Sequence, residues 1–284
     1  MTHRRTTCLL SALATALVLA VPFPATAGGF DRASFQDWVD MRTGGNGKPV
    51  YWFGRGNVLD STGTVVARVE GLDTSLGYPD PSRADTWIQL SRKIFIPLDP
   101  KTGQRQLGRD GRPIPPTAYP FQVRSYRLEG DEIVYDVESH DSARVFAQPT
   151  LRNFSVRRIG RVTHYNYPMF IDRVRLDGQR AQRYEVNDLL LRADPGLTEQ
   201  ERYQYTYVGT GPGGTVSSVV SWRYSDFDAL PSETLKTFVR NEAPLWLTPP
   251  KDMAEIAALR AQQPWRGPGS AAVPAAATPA NDSP

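Results

Sequence analysis

Hydrophobic and polar residues alternate with a period of two from Pro49 to about Phe227. Alternation sends successive side chains to opposite faces of a strand, so it predicts β-structure with one buried face. Paired segments of this kind flank short stretches rich in Gly, Asp and Pro, which favour tight turns. The predicted turns lie at 60–63, 129–131, 177–178 and 211–214. The sequence therefore predicts four β-hairpins in series.

We predict a mainly β fold, with an antiparallel sheet that is barrel-like or strongly curved. No predicted strand is followed by a helical crossover, which a parallel α/β sheet would require. About ten strands would leave edges that need protection, and curvature brings such edges toward each other. A two-sheet β-sandwich is the alternative.

A short helix is predicted before the β-region. The stretch "FDRASFQDWVDMRTG" places Phe35, Trp38 and Val39 on one side of a helix. Gly44 and Gly45 follow directly and would end it.

Two more short helices are predicted after the β-region. Ser232 can cap a helix that begins with "ETLKTFVR". Asp252 and Glu255 have capping-box spacing ahead of "IAALRAQQ". Residues 267–284 are mainly Pro, Ala and Gly without periodicity, and we expect this tail to be disordered.

The first 27 residues have the three parts of a secretory signal peptide. A pair of arginines precedes an apolar run from Cys8 to Phe23, and Ala25 and Ala27 fit the small positions of a cleavage site. We expect cleavage between Ala27 and Gly28, with a periplasmic or secreted mature protein. An uncleaved anchor is the alternative, although the run is short for a membrane span. The general export route is favoured over the twin-arginine route.

This division leaves a single antiparallel β-domain at 28–266, between the signal peptide at 1–27 and the tail at 267–284. Cys8 is the one cysteine of the chain and falls in the signal peptide, so no disulfide or thiol nucleophile is expected in the mature protein. We expect no stable membrane span after cleavage. Nothing in the sequence specifies an oligomeric state.

The charge balance argues against a nucleic-acid partner. The chain has 33 basic and 30 acidic residues, and removal of Arg4 and Arg5 with the signal peptide leaves a net charge of +1. A nucleic-acid-binding domain usually carries a strong basic excess. We therefore predict no nucleic-acid partner.

Aromatic residues alternate on three predicted strands. Alternation puts the rings of one strand on one face, where they form either a packed core or the wall of a ligand pocket. The hydroxyl groups favour a pocket, because a buried tyrosine needs a hydrogen-bond partner. The predicted ligand-binding residues are Tyr165, Tyr167, Tyr203, Tyr205, Tyr207, Trp222 and Tyr224. The register of the last hairpin decides whether Trp222 shares a face with Tyr205.

His140 and His164 are the two histidines of the predicted mature chain and are the candidates for catalysis. A histidine can act as a general base when a carboxylate orients it, and Asp136 or Glu138 could supply that carboxylate. No G-x-S-x-G or H-E-x-x-H motif is present, so the sequence indicates neither a serine hydrolase nor a zinc protease. A structural role for both histidines is the alternative.

Eight arginines against two aspartates between Arg152 and Arg183 form a local basic segment. Arginine suits the binding of carboxylate or phosphate, and the predicted anion-binding residues are Arg157, Arg158 and Arg161. A solvated pair of strands is the alternative. The pair Asp226 and Asp228 is too short for a calcium loop, and we predict no metal site and no cofactor.

Three stretches of the sequence resemble a known family: "VYWFGRG", "DPKTGQ" and "EAPLWLTPP". They are similar to an exported proteobacterial family described only as a domain of unknown function. The resemblance covers most of the chain from Phe30 to Pro250. It implies an extracytoplasmic single-domain protein and no particular activity.

Together these features favour a binding protein that holds a small amphipathic or apolar ligand against the aromatic strands. The first alternative is a hydrolase or lyase that uses a histidine, a carboxylate and a tyrosine. The second is a cell-envelope interaction protein that uses the arginine-rich segment.

Overall fold

The computed structural model describes residues 29–262, except residues 46, 141–145, 149–153 and 175–179. The predicted signal peptide and the predicted tail lie outside the described residues. The described chain forms one antiparallel sheet of eleven strands with a few short helices, which confirms the predicted fold class.

Strands make up most of the described chain, and short helices flank them. The strands are β1 (Val50–Leu59), β2 (Val65–Pro79), β3 (Thr86–Leu98), β4 (Thr117–Glu129), β5 (Glu132–Ser139), β6 (Phe146–Gln148), β7 (Ser155–Ile159), β8 (Val162–Val174), β9 (Arg180–Arg192), β10 (Tyr203–Thr210) and β11 (Val216–Tyr224). The helices are α1 (Arg32–Thr43), α2 (Glu199–Arg202), α3 (Glu233–Glu242) and α4 (Met253–Ala261), with 3₁₀ turns at Pro212–Gly214 and Pro244–Leu247.

The four predicted hairpins are present as the pairs β1–β2, β4–β5, β8–β9 and β10–β11. The turn at 177–178 lies outside the described residues, but the strands on either side of it pair along thirteen positions. Strand β3, which pairs with both β2 and β4, was not among the predicted hairpin strands.

The sheet consists of two meanders joined side by side. The strand order is β6-β5-β4-β3-β2-β1-β11-β10-β9-β8-β7, so the first and last strands of the chain pair at its centre. Strands β6 and β7 are the edges, and only six residues separate Gln148 from Ser155. That length of chain spans at most about 25 Å, whereas eleven flat strands would be about 48 Å across. The sheet is therefore strongly curved, with a concave and a convex face.

Helix α1 fills one end of the concave face. Asp31 caps it by accepting a hydrogen bond from Ser34 N at 2.7 Å, and Gly44 ends it with a φ of 79°. The predicted N-terminal helix and its stop signal are thus confirmed. Trp38 is 2% exposed and meets the ring of Tyr167 edge-on at 5.0 Å. This packing makes an aromatic core between α1 and the sheet.

The C-terminal segments cover the convex face. Phe53, Leu72 and Ile94 point outward from β1, β2 and β3 into a core shared with α3 and the 244–247 turn. The predicted cap of α3 is confirmed, since Ser232 Oγ accepts from Leu235 N at 3.1 Å. Among the described residues, no helix has the length and apolar character needed to cross a membrane.

Candidate ligand cavity

The concave face forms an open cavity of about 510 Å³ beside the end that α1 fills. This volume lies within the usual range for small-molecule sites. Its walls come from strands on both halves of the sheet, so the curvature of the sheet creates the space. Much of the lining is apolar and includes Trp52, Phe95, Val137, Met169, Ile171 and Val219.

Small residues at the centre of the sheet keep the cavity open. Gly54 on β1, Gly71 on β2 and Ser217 on β11 all border it. A Cβ atom at Gly71 would lie 2.1 Å from a ring carbon of Phe95, so only glycine lets that ring lie flat on the strand. The sequence therefore leaves room where larger side chains would fill the concave face.

A buried charged cluster lies where the cavity meets α1. Lys93 Nζ is 3.1 Å from Asp73 Oδ2, and Arg42 Nη2 is 4.0 Å from the same oxygen. Ser75 Oγ donates to the other oxygen of Asp73 at 2.8 Å. Burial raises the pKa of Asp73, but the nearby cations Lys93, Arg124 and Arg42 outweigh it and hold the pKa below its ordinary value. Asp73 is therefore an anion that three cations share.

Arg124 belongs to the same cluster and has neutral partners. Its Nε donates to Tyr135 Oη at 2.8 Å, its Nη2 donates to Gln122 Oε1 at 2.6 Å, and its Nη1 is 3.4 Å from Ser91 Oγ. Burial raises the pKa of Tyr135 to about 12, so this hydroxyl stays protonated at neutral pH. These contacts fix the guanidinium group without cancelling its charge.

The predicted tyrosine residues divide between the cavity and the packed core. Tyr205 and Tyr207 line the cavity, and their hydroxyls donate to Asn187 and, at 3.4 Å, to Glu185. The Tyr205 ring also lies 5.4 Å from the guanidinium carbon of Arg42. Of the predicted ligand-binding residues, Tyr205 and Tyr207 therefore border the cavity.

The remaining concave-face tyrosines are packed. Tyr165 is fully buried, and its hydroxyl donates to Ser34 O at 3.3 Å. Tyr167 packs against α1. The ring centre of Tyr203 lies 3.4 Å from the guanidinium carbon of Arg223. These three tyrosines therefore have the packing role that was the alternative to a pocket wall.

The structure separates Trp222 and Tyr224 from the other predicted ligand-binding residues. Tyr205 pairs with Ser221, so Trp222 has the opposite parity. Trp222 and Tyr224 therefore point to the convex face, where they join the core beneath α3. Placing them in the pocket required a register that the hairpin does not have.

The two histidines do not line the cavity. His164 Nε2 lies 2.7 Å from Asp188 Oδ1 on the outer face of β8 and β9, so Asp188 takes the place that Asp136 or Glu138 was expected to fill. The His140 ring packs edge-on against Tyr119 at 5.4 Å. The structure thus separates His164 from the cavity tyrosines, whereas His140 contacts Tyr119, which borders the cavity. In the part of the chain that is described, no group of three His, Cys, Asp or Glu residues could hold a metal ion.

The predicted anion-binding arginines are exposed and point in different directions. Arg157, Arg158 and Arg161 lie in or just after β7, where alternation separates Arg157 from Arg158. Arg158 interacts electrostatically with Asp31 and Asp37 near the start of α1. Arg152 and Arg175 of the same basic segment lie outside the described residues. Arg157 and Arg158 therefore face opposite sides of β7.

The cations that do converge were not predicted from the sequence. Arg42, Lys93 and Arg124 come from α1, β3 and β4, and alternation alone marks them only as polar positions. The available signal was the position of Arg42 in the last turn of a helix with a buried face. No family model matches the chain, and no curated protein or solved structure matches it.

Proposed function

We propose that the protein is exported to the periplasm or the medium and binds a small amphipathic or apolar ligand in the concave cavity. The observation that carries this proposal is a cavity of about 510 Å³ with apolar walls and a polar end. Such a combination lets the walls bury a hydrophobic body while a few polar groups orient it. The predicted signal peptide at 1–27 supports this location.

The placement of His164 supports binding over hydrolase or lyase activity. His164 is held by Asp188 on the convex face. A general base must come within hydrogen-bond reach of its substrate, directly or through one water. A ligand in the cavity would be separated from His164 by the sheet itself.

The proposal is tested by filling the cavity. Ser217 lines it, whereas its neighbour Ser218 points to the other face and is comparably half-buried. The probe is N-phenyl-1-naphthylamine, a neutral apolar dye whose fluorescence rises in apolar surroundings. Ser217→Trp should lower the affinity for the dye about tenfold or more, a loss of about 1.4 kcal/mol. Ser218→Trp should leave the affinity within about threefold of the unsubstituted protein.

Circular dichroism and thermal unfolding of both variants show whether the fold is intact. Equal dye binding by Ser217→Trp and the unsubstituted protein would refute the cavity as the binding site. Mass spectrometry of small molecules that co-purify from periplasmic extract then identifies the natural ligand. The Ser217→Trp variant should lose that molecule, and the Ser218→Trp variant should retain it.

A further inference from the structure

The charges that line the cavity do not balance. Five basic and two acidic side chains border it: Arg42, Arg68, Lys93, Arg124 and Arg183 against Asp73 and Glu185. Arg183 is paired with Glu185 at 2.9 Å, and Arg68 is exposed. The remaining three cations share Asp73 as their carboxylate. Buried charges in proteins are ordinarily paired, because an unpaired one loses its hydration without compensation.

Arg42 borders the cavity and has buried donor nitrogens without a partner among the described residues. It is 4% exposed, and its Nε and Nη1 have no hydrogen-bond partner among the described residues. Its guanidinium carbon lies 5.9 Å from the ring centre of Trp52 and 5.4 Å from that of Tyr205. Aromatic contacts of this kind stabilise the cation but accept no conventional hydrogen bond. The two N–H groups are therefore buried donors that an added acceptor beside Arg42 would satisfy.

Lys93 and Arg124 experience the same excess of positive charge. Burial and the nearby Arg124 lower the pKa of Lys93 to about 8, although Asp73 acts in the opposite direction. The hydrogen-bond acceptors of Arg124 are neutral groups, and its interaction with Asp73 is at longer range. An added anion between these side chains would relieve the repulsion.

We infer that the ligand is an amphipathic anion whose oxyanion head group, a carboxylate or a phosphate, binds between Arg42, Lys93 and Arg124. The inference rests on the proposed function, since it places the head group in the same cavity. Arginine and lysine are the side chains that recognise such groups through charge-assisted hydrogen bonds.

The apolar part of the ligand would extend away from α1. Along β3 the cavity is lined by Lys93, then Phe95, then Pro97. With a rise of about 3.3 Å per residue, Pro97 lies about 13 Å along the strand from Lys93. Val58 and Ile114 continue the apolar lining beyond the charged end. The cavity thus has a charged end and an apolar length, which fits a head group and a medium-length alkyl chain.

The test compares three ligands that share one tail: dodecanoate, dodecyl phosphate and dodecan-1-ol. Each is titrated against the full mature protein carrying N-phenyl-1-naphthylamine, below its micelle concentration, and dye displacement gives the affinity. At least one of the two anions should bind about tenfold or more tightly than the alcohol. The better anion identifies the head group, because the two differ in charge and in the number of oxygens.

The preference for an anion should fall to about threefold or less in both Arg42→Met and Lys93→Met, while binding of the alcohol changes little. Two variants are used because Arg42 also packs in the core. Arg55→Met is the control, since Arg55 lies on the convex face and pairs with Glu70. It should keep the full preference.

Equal affinity of the alcohol and both anions for the unsubstituted protein would overturn the inference and leave the proposed function standing. A preference that survives in both Arg42→Met and Lys93→Met would also overturn it. If none of the three ligands displaces the dye and the dye does not bind, the proposed function fails and this inference fails with it.

Discussion

The convex core and the concave cavity surround their buried cations differently, as two neighbours on β3 show. Arg92 points into the convex core and is 1% exposed. Its Nε donates to Pro120 O at 3.0 Å, its Nη1 donates to Thr248 O at 2.7 Å, and its Nη2 pairs with Glu255. Every nitrogen of this guanidinium group has an acceptor. Arg92 therefore links β3 to the neighbouring strand β4 and to the C-terminal segments.

Lys93, one residue later, points into the cavity. It meets Asp73, but that carboxylate also serves Arg42 and Arg124, so positive charge remains in excess. Removing charges from water costs several kcal/mol per ion unless partners compensate for it. Arg92 is thus held by its own acceptors, whereas the excess positive charge around Lys93 is the observation on which the proposed anion site rests.

Replacing each cation with an uncharged side chain of similar length tests this difference between Arg92 and Lys93. Arg92→Met should lower the free energy of unfolding by about 3 kcal/mol or more, because it leaves two buried carbonyls without donors. Lys93→Met should change it by less than about 1 kcal/mol, since Arg42 and Arg124 still neutralise Asp73. Urea denaturation of both variants at neutral pH measures the two values.

Comparable losses in Arg92→Met and Lys93→Met would show that both faces use their cations structurally. Displacement of N-phenyl-1-naphthylamine by dodecanoate provides the matching control. The folded fraction of Arg92→Met should retain its dodecanoate affinity, because Arg92 points away from the cavity.

Two of the predicted tyrosines allow packed core and open cavity to be compared within the concave face. Tyr165 is fully buried against α1, whereas Tyr205 borders open space. Truncation of a buried aromatic costs about 3–5 kcal/mol, and the cost falls where the ring already adjoins a void. Tyr165→Ala should therefore lower the free energy of unfolding by about 2 kcal/mol more than Tyr205→Ala does.

Tyr205→Phe separates the hydroxyl from the ring. It removes the hydrogen bond to Asn187 and should cost about 1 kcal/mol. Chemical denaturation of the four proteins, with the unsubstituted chain as reference, gives all of these differences. Equal losses for the two alanine variants would mean that Tyr205 belongs to the packed core.

Much of the fold follows from local sequence. Alternation and turn residues identify the four hairpins, and capping residues identify α1 and α3, because these signals act over a few positions. Strand β3 lacks such a signal. Connections at 80–85 and 99–116 flank it, and its concave-face positions Gln89, Ser91 and Lys93 are polar. Hydrophobic alternation does not detect a strand whose buried positions are polar, because it assumes that buried residues are hydrophobic.

The site was less accessible to sequence reasoning. Residues 42, 73, 93 and 124 meet because β2, β3 and β4 pair in one register and α1 lies across them. Pairing between distant segments is not encoded in the spacing of any one of them. The same limit explains Trp222, whose face depends on whether Tyr205 pairs with it or with Ser221.

The smallest expected effect is a pH dependence of stability from Lys93. Arg42, Asp73 and Arg124 face its ammonium group, and burial lowers the pKa of Lys93 from 10.5 to about 8 in the folded protein. Between these two values the unfolded chain binds a proton that the folded protein has released. Stability therefore rises with pH in this window, and the ammonium form that costs stability is fully present below pH 8.

Subtracting the unfolding free energy of Lys93→Met from that of the unsubstituted protein cancels the other titrating groups. This difference should increase by about 1 kcal/mol between pH 8 and pH 9 in urea denaturation. A constant difference would mean that Lys93 keeps its proton and that its neighbours neutralise it as fully as Arg92 is neutralised on the convex face.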